Sequence, residues 1–129
     1  MALIDVPPHR LLAAIQQGEE ASALELINLA SSRDVSIREG VAARPDAPIG
    51  ALILLAQDPK AKVRRALAAN AAVARAESVQ GMLVGDRDSD VALALASNPA
   101  TPDATLRRLL NYGKKSVRTV AQQRLASTR

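Results

Sequence analysis

Four short segments of the chain align with one another, led by Ile37, Val63, Val91 and Val117, at spacings of 26, 28 and 26 residues. Four places after each lead residue stand Val41, Leu67, Leu95 and Ala121. Apolar residues at i and i+4 share one face of a helix, so each segment predicts a short helix with a single buried stripe. A unit of this size cannot bury its apolar face alone; it has to stack on copies of itself. The expected architecture is therefore all-α and built from stacked helix pairs in a single domain. Residues 34–57, 58–85 and 86–113 form three repeats, residues 114–129 the first half of a fourth, and residues 1–33 a pair of N-terminal capping helices.

The apolar set supports this reading. Hydrophobic residues make up 48% of the 129 positions, yet there is no Phe, no Trp and a single Tyr, Tyr112. Alanine and leucine dominate, and they are the strongest helix formers. Small side chains also let helix backbones approach closely, whereas a sheet protein would normally carry more aromatic and β-branched residues.

Local signals mark the helix ends. A polar turn precedes each lead residue: Asp34, Asp58 with Pro59, Asp86 with Asp88 and Asp90, and Gly113 to Ser116. Asp and Ser there are suited to cap the free N–H groups of the following helix, and Pro59 fits a first helical turn. In the third repeat, Asn98-Pro99 predicts a stop, Thr101-Pro102 a capped restart, Leu106, Leu109 and Leu110 a second apolar face, and Gly113 a left-handed stop. Pro45 and Pro48, followed by Leu52, Leu55 and Ala56, echo this in the first repeat. The second lacks those prolines, so residues 71–76 are expected to prolong one helix as far as Gly81 or Gly85. Upstream, Leu11, Leu12 and Ile15, then Leu24, Ile27 and Leu29, have the spacing of the two capping helices.

The chemistry on offer is narrow. With no cysteine, disulfides, thiolate nucleophiles and thiolate-bound metal clusters are excluded. His9 is the only histidine and has no evident orienting partner. Asp86, Asp88 and Asp90 lack the glycine and late glutamate of a calcium loop, so helix capping is their expected role. A non-enzymatic protein without cofactor or metal is expected. The longest apolar run, residues 51–56, is far short of a membrane span. The first residues lack a basic segment followed by a long apolar run, so a cytoplasmic location and no membrane partner are expected.

Charge is distributed unevenly. Residues 1–57 carry four Arg and seven acids, whereas residues 58–129 carry thirteen Lys or Arg and six acids. Arg107, Arg108, Lys114, Lys115, Arg118, Arg124 and Arg129 make the C-terminal part basic, and Arg65 adds to the second repeat. Such a patch suits an anionic partner, either an acidic protein or nucleic-acid phosphate. Against nucleic acid, Tyr112 is the sole aromatic side chain that could stack on a base.

The third repeat, Asp88-x-x-Val91-x-x-x-x-Ala96-x-Asn98-Pro99-x-Thr101-Pro102-x-x-x-Leu106-x-x-Leu109, resembles the leucine-rich repeat variant, a relative of HEAT repeats. The likeness covers about 90 residues, closely in this repeat and more loosely in the others. It implies a right-handed α-solenoid and specifies no activity. The cysteine-ligated cluster of some members cannot be carried over to a chain without cysteine. In HEAT-like repeats an Asp of the preceding turn often pairs with an Arg one place after the lead residue. Here Arg38, Arg64 and Arg118 occupy that column and Ala92 interrupts it; Asp34, Asp58 and Asp86 or Asp88 are the expected partners. The column is either such a ladder or a row of guanidinium groups for anions. The leading expectation is a protein–protein interaction module, with sequence-independent nucleic-acid binding as the alternative. Arg38, Arg64, Arg65, Arg107, Arg108, Lys114, Lys115 and Arg118 are the candidate contact residues, and self-association through the C-terminal end is a further expectation.

Overall fold

A computed structural model of the chain describes residues 22–127. His9, the helix expected over Leu11, Leu12 and Ile15, and Arg129 lie outside them. All regular elements among the described residues are helical: α1 (Ala23–Ala30), α2 (Val35–Ala42), α3 (Ile49–Ala56), α4 (Ala61–Ala68), a 3-10 turn (Ala71–Arg75), α5 (Glu77–Val84), α6 (Ser89–Ser97), α7 (Asp103–Leu109) and α8 (Lys115–Ser127).

The helices pack as two rows. One is α2, α4, α6 and α8, each against the next; the other is α1, α3, α5 and α7, again each against the next. The four aligned segments are the four helices of the first row. The core lies between the rows. Val41, Leu67, Leu95 and Ala121 are fully buried from one side, and Leu52, Leu55, Val79, Leu83, Leu106 and Leu109 meet them from the other. Each leucine removed from water in this way contributes about 1.5–3 kcal/mol. Small residues set the spacing between neighbours. Ala42, Ala68 and Ala96, one place beyond the buried leucine column, are fully buried where one helix meets the next. A Cβ at Gly50 would already touch Ile27 Cδ1 at 3.4 Å, so α3 lies close upon α1.

The helix ends depart from expectation in four places. Asp34 and Asp88 do cap α2 and α6, accepting from Ser36 N and Asp90 N at 2.8 Å. Pro59 instead precedes the helix, whose N-cap is Lys60, and Asp58 accepts from Lys60 N at 2.9 Å. Pro102, not Thr101, is the N-cap of α7, because the Thr101 hydroxyl is turned inward and donates to Leu95 O at 2.7 Å. Gly113 does not adopt a left-handed conformation; α7 already ends at Leu109, and Leu110 closes it in the right-handed helical region.

The fourth departure is the largest. The second repeat does not run on as one helix: α4 stops at Ala68, and the 3-10 turn intervenes before α5. Asn70 is the cause. Its Oδ1 accepts from Ala72 N at 2.9 Å, and its Nδ2 donates to Ala42 O at 2.8 Å and Arg44 O at 2.7 Å. A buried amide with these bonds ends the helix as effectively as proline does in the third repeat. Asn98 repeats the pattern one unit later, donating to Ala68 O and Asn70 O at 2.9 Å and accepting from Ala100 N. The next equivalent residue is Arg124, whose Nη1 donates to Ala96 O and Asn98 O at 3.0 Å. Its longer side chain reaches these carbonyls without a break in the backbone, and α8 runs for 13 residues.

Asn98→Ala is expected to destabilise the protein by about 2–4 kcal/mol, because it strands two buried carbonyls of the preceding repeat and the Ala100 N–H. Urea unfolding followed by helical circular dichroism measures the loss; an unchanged midpoint would show that the asparagine bonds do not hold the repeats together.

Candidate interaction surface

The arginine column runs along the turn edge of the first row. Arg38 forms a two-pronged ion pair with Asp58, Nε to Oδ2 at 2.6 Å and Nη2 to Oδ1 at 3.2 Å, while its Nη1 donates to Ser32 O at 2.9 Å. Arg64 repeats every bond one unit on: Nε and Nη2 to Asp86 at 2.7 and 3.3 Å, and Nη1 to Asp58 O at 2.6 Å. Each arginine therefore binds the carboxylate of the following repeat's turn and the carbonyl of its own. The expected pairing with the preceding Asp is displaced by one repeat. Asp34 is occupied as the α2 cap, and the residue that contacts Arg38 from its own turn is Ser32, through a carbonyl.

These pairs are largely shielded. The Asp58 and Asp86 side chains are 4% and 7% exposed, those of Arg38 and Arg64 12% and 18%. Hydrogen bonding to Asp58 holds the Arg38 guanidinium above its ordinary value, opposed by burial and supported by the Asp58 charge. Asp86 does the same for Arg64. Both arginines are fixed in the framework and have their forks filled.

The interruption at Ala92 is compensated from the opposite side. The turn residues six places before each column member are Ser32, Asp58, Asp86 and Tyr112. An arginine at 92 would reach Asp86 O and the side chain at 112. Instead Ala92 is fully buried, and the Tyr112 hydroxyl donates to Asp86 O at 2.7 Å. Small and large have changed places, and the same carbonyl is satisfied. At the next step the column resumes with Arg118, whose Nη1 donates to Tyr112 O at 2.7 Å.

The remaining candidates are dispersed. Arg107 and Arg108 are exposed in the last turn of α7, where the helix dipole favours cations. Arg108 reaches across to Gly81 of α5 and lines a hollow of about 320 Å³ with Glu77, Gln80 and Thr105. Lys114 lies on the other row, 3.4 Å from the Ser89 hydroxyl at the start of α6. Lys115 is exposed at the start of α8. The basic residues thus divide between the two rows.

The outward side of the first row is regular. Gly40, Ala66, Ala94 and Val120 occupy one half-buried column, flanked by Glu39, Arg65, Leu93 and Thr119. Lys62 and Glu39 approach to 3.6 Å across α2 and α4, and Arg65 shares a shallow hollow of about 230 Å³ with Lys62, Asp88 and Asp90. Small residues run down the middle and mixed charge runs along the side. No group of three or more His, Cys, Asp or Glu among the described residues is placed to hold a metal ion. No helix among them is long and apolar enough to cross a membrane.

Sequence reasoning missed the asparagine column, although its signal was present: Asn70, Asn98 and Arg124 each stand seven places after a lead residue. It also missed the part played by Tyr112 and the buried bond from Thr105 Oγ1 to Gln80 Oε1 at 2.8 Å, for which the periodicity holds no signal.

These features define an all-helical protein with two rows of short helices joined by polar ladders. No family model matches the chain, and neither a curated protein nor a solved structure does so.

Two outcomes are expected. Arg64→Ala, by leaving the buried Asp86 carboxylate unpaired, costs about 3–5 kcal/mol. Adding Asp86→Tyr, which copies the Ala92–Tyr112 arrangement, restores about 1–2 kcal/mol of that through the hydroxyl bond to Asp58 O; a double-mutant cycle in urea reads the coupling. Tyr112 gives the second. Burial, and then the charges of Asp86 and Asp88, push its phenol above the ordinary tyrosine range. The raised folded-state value favours the neutral phenol. Its contribution to stability is therefore complete below the unfolded value near 10 and is lost as pH rises through the higher folded value. As the chain's single tyrosine, its tyrosinate absorbance should titrate at higher pH in the folded protein than in urea.

Proposed function

We propose that the chain is a short α-solenoid of HEAT-like repeats, related to the leucine-rich repeat variant, and serves as a non-enzymatic protein-interaction module of the cytoplasm. The observation that carries this reading is the outward column Gly40, Ala66, Ala94 and Val120 with its flanking charges. Equivalent positions recur on each helix of the first row. The groups that join those helices, Arg38, Arg64, Asn70 and Asn98, are bonded within the framework. A surface of this kind is already ordered before a partner arrives, so little conformational entropy is lost on binding. The small central column admits close approach of a partner backbone or helix, and Glu39, Lys62, Arg65 and Asp90 at its sides select by charge.

The division of the basic residues between α7 and α8 favours a protein partner over a nucleic-acid duplex, which needs a continuous cationic track to follow its phosphates.

Arg65→Glu combined with Ala94→Arg reverses a flanking charge and fills the small column at exposed or half-buried positions, so the fold is expected to survive. A partner captured by the native protein and lost with this variant supports the assignment. Capture that is insensitive to both changes moves the surface elsewhere. Fluorescence anisotropy with labelled duplex DNA and single-stranded RNA, at roughly 50 and 200 mM salt, tests the alternative; tight binding at low salt that falls steeply with salt and with neutralisation of Lys114 and Lys115 would replace the protein reading.

A further inference from the structure

In the arginine column, Arg118 makes one of the three bonds seen at Arg38 and Arg64. Arg38 and Arg64 each use Nη1 for a turn carbonyl and Nε with Nη2 for the two oxygens of an aspartate. Arg118 makes the first of these bonds, to Tyr112 O, at the same six-residue offset. Among the described residues its Nε and Nη2 have no partner, although the side chain is half-buried against the turn. The carbonyl bond holds the guanidinium as it holds the two internal ones. The remaining fork is therefore ordered before any ligand arrives, and such a planar fork matches a carboxylate.

We infer that Nε and Nη2 of Arg118 form a receptor for a carboxylate of a partner protein, an Asp or Glu in a short acidic segment laid across α8. The inference rests on the protein-binding reading and names a second contact surface for it. Three observations select this occupant. The internal forks are both filled by carboxylates, at 2.6 to 3.3 Å, so the geometry of the column is already that of carboxylate binding. No acidic residue follows Asp103, while Lys114, Lys115, Arg118 and Arg124 do, which makes the surroundings complementary to an acidic segment.

The third observation favours an extended segment over a closely stacked helix. On the internal helices the residue four places beyond the column is Ala42, Ala68 or Ala96, fully buried under the next helix. On α8 it is Gln122, and it is exposed. Residues i and i+4 lie side by side, so a helix seated on Arg118 at the internal distance would bury the Gln122 amide, which is unfavourable without new bonds. An extended acidic segment leaves that amide in water or hydrogen-bonds to it.

A fluorescent, end-capped peptide alternating Asp and Gly is the probe, with its Asn counterpart as control. The full chain is expected to bind the acidic peptide in anisotropy and to shift the Arg118 Nε–Hε resonance, while those of Arg38 and Arg64 stay in place. Arg118→Lys keeps the charge and removes the fork; it is expected to weaken binding about tenfold, the worth of one charge-assisted pair. Gln122→Glu, at an exposed position, places a carboxylate beside the fork and is expected to weaken binding in the same way. Unchanged helical circular dichroism confirms that both variants fold. Equal affinity for the Asn peptide, or native affinity in folded Arg118→Lys, would overturn the inference. So would oligothymidylate that displaces the peptide through Arg118, since the receptor would then be one for phosphate. Arg65→Glu with Ala94→Arg is expected to leave peptide binding intact, so the two surfaces fail or stand separately.

Discussion

Short helices end too often for their own backbones to satisfy them, and this constraint governs the molecule. The last four carbonyls of any α-helix have no partner within it. In helices of eight residues, such as α2 and α4, that is half of the carbonyls. Water cannot serve those that face the core, because an unbonded buried carbonyl costs about 1–3 kcal/mol. Each repeat after the first meets the demand by sending one side chain back to its predecessor: Asn70 to Ala42 and Arg44, Asn98 to Ala68 and Asn70, Arg124 to Ala96 and Asn98. No buried side-chain nitrogen or oxygen among the described residues is left without a partner. These bonds link each repeat to the one before it.

The links conserve bonds rather than residues. Asparagine gives way to arginine where α8 continues past the usual stop, and the same pair of carbonyls is still reached. Arginine and aspartate give way to alanine and tyrosine at Ala92 and Tyr112, and the turn carbonyl still receives its hydrogen. In both places the substituted side chain differs in length, charge and direction from the one it replaces. The requirement imposed by the backbone is for a donor at a fixed point, and side-chain identity follows from where the donor can be mounted.

That distinction explains how much the amino-acid sequence disclosed. The apolar columns were legible because burial selects for a property, hydrophobicity at period 3.6, shared by Ile37, Val63, Val91 and Val117. The helical class and the boundaries near Asp34, Asp88 and Pro99 followed from it. The arginine column was visible as a column, but its register was not. Spacing alone cannot distinguish an aspartate before the arginine from one a repeat later, and only the packing distance between α2 and α4 brings Asp58 to Arg38. The break at Asn70 was misread because proline announces a helix stop through its own backbone, whereas asparagine does so only when carbonyls of another repeat lie within reach. Tyr112 carried no periodic signal at all, since it occurs once and works by replacing a pattern.

The ladder also has a direction, and in the proposed reading the direction decides where a partner can be contacted. Arg38 and Arg64 receive their carboxylates from the repeat that follows, and Asn70 and Asn98 donate to the repeat that precedes. The ladder groups of the internal repeats are therefore saturated, and Arg38, Arg64, Asp58 and Asp86 are engaged within the framework. If the chain binds a protein as proposed, specificity is left to positions that the links do not use. These are the half-buried outward column through Gly40, Ala66, Ala94 and Val120, and Arg118, where the sequence of donors reaches α8 with its fork open. The same bonds that make the framework rigid thus sort its arginines by position, so that chemically identical side chains are structural in one repeat and available for recognition in another.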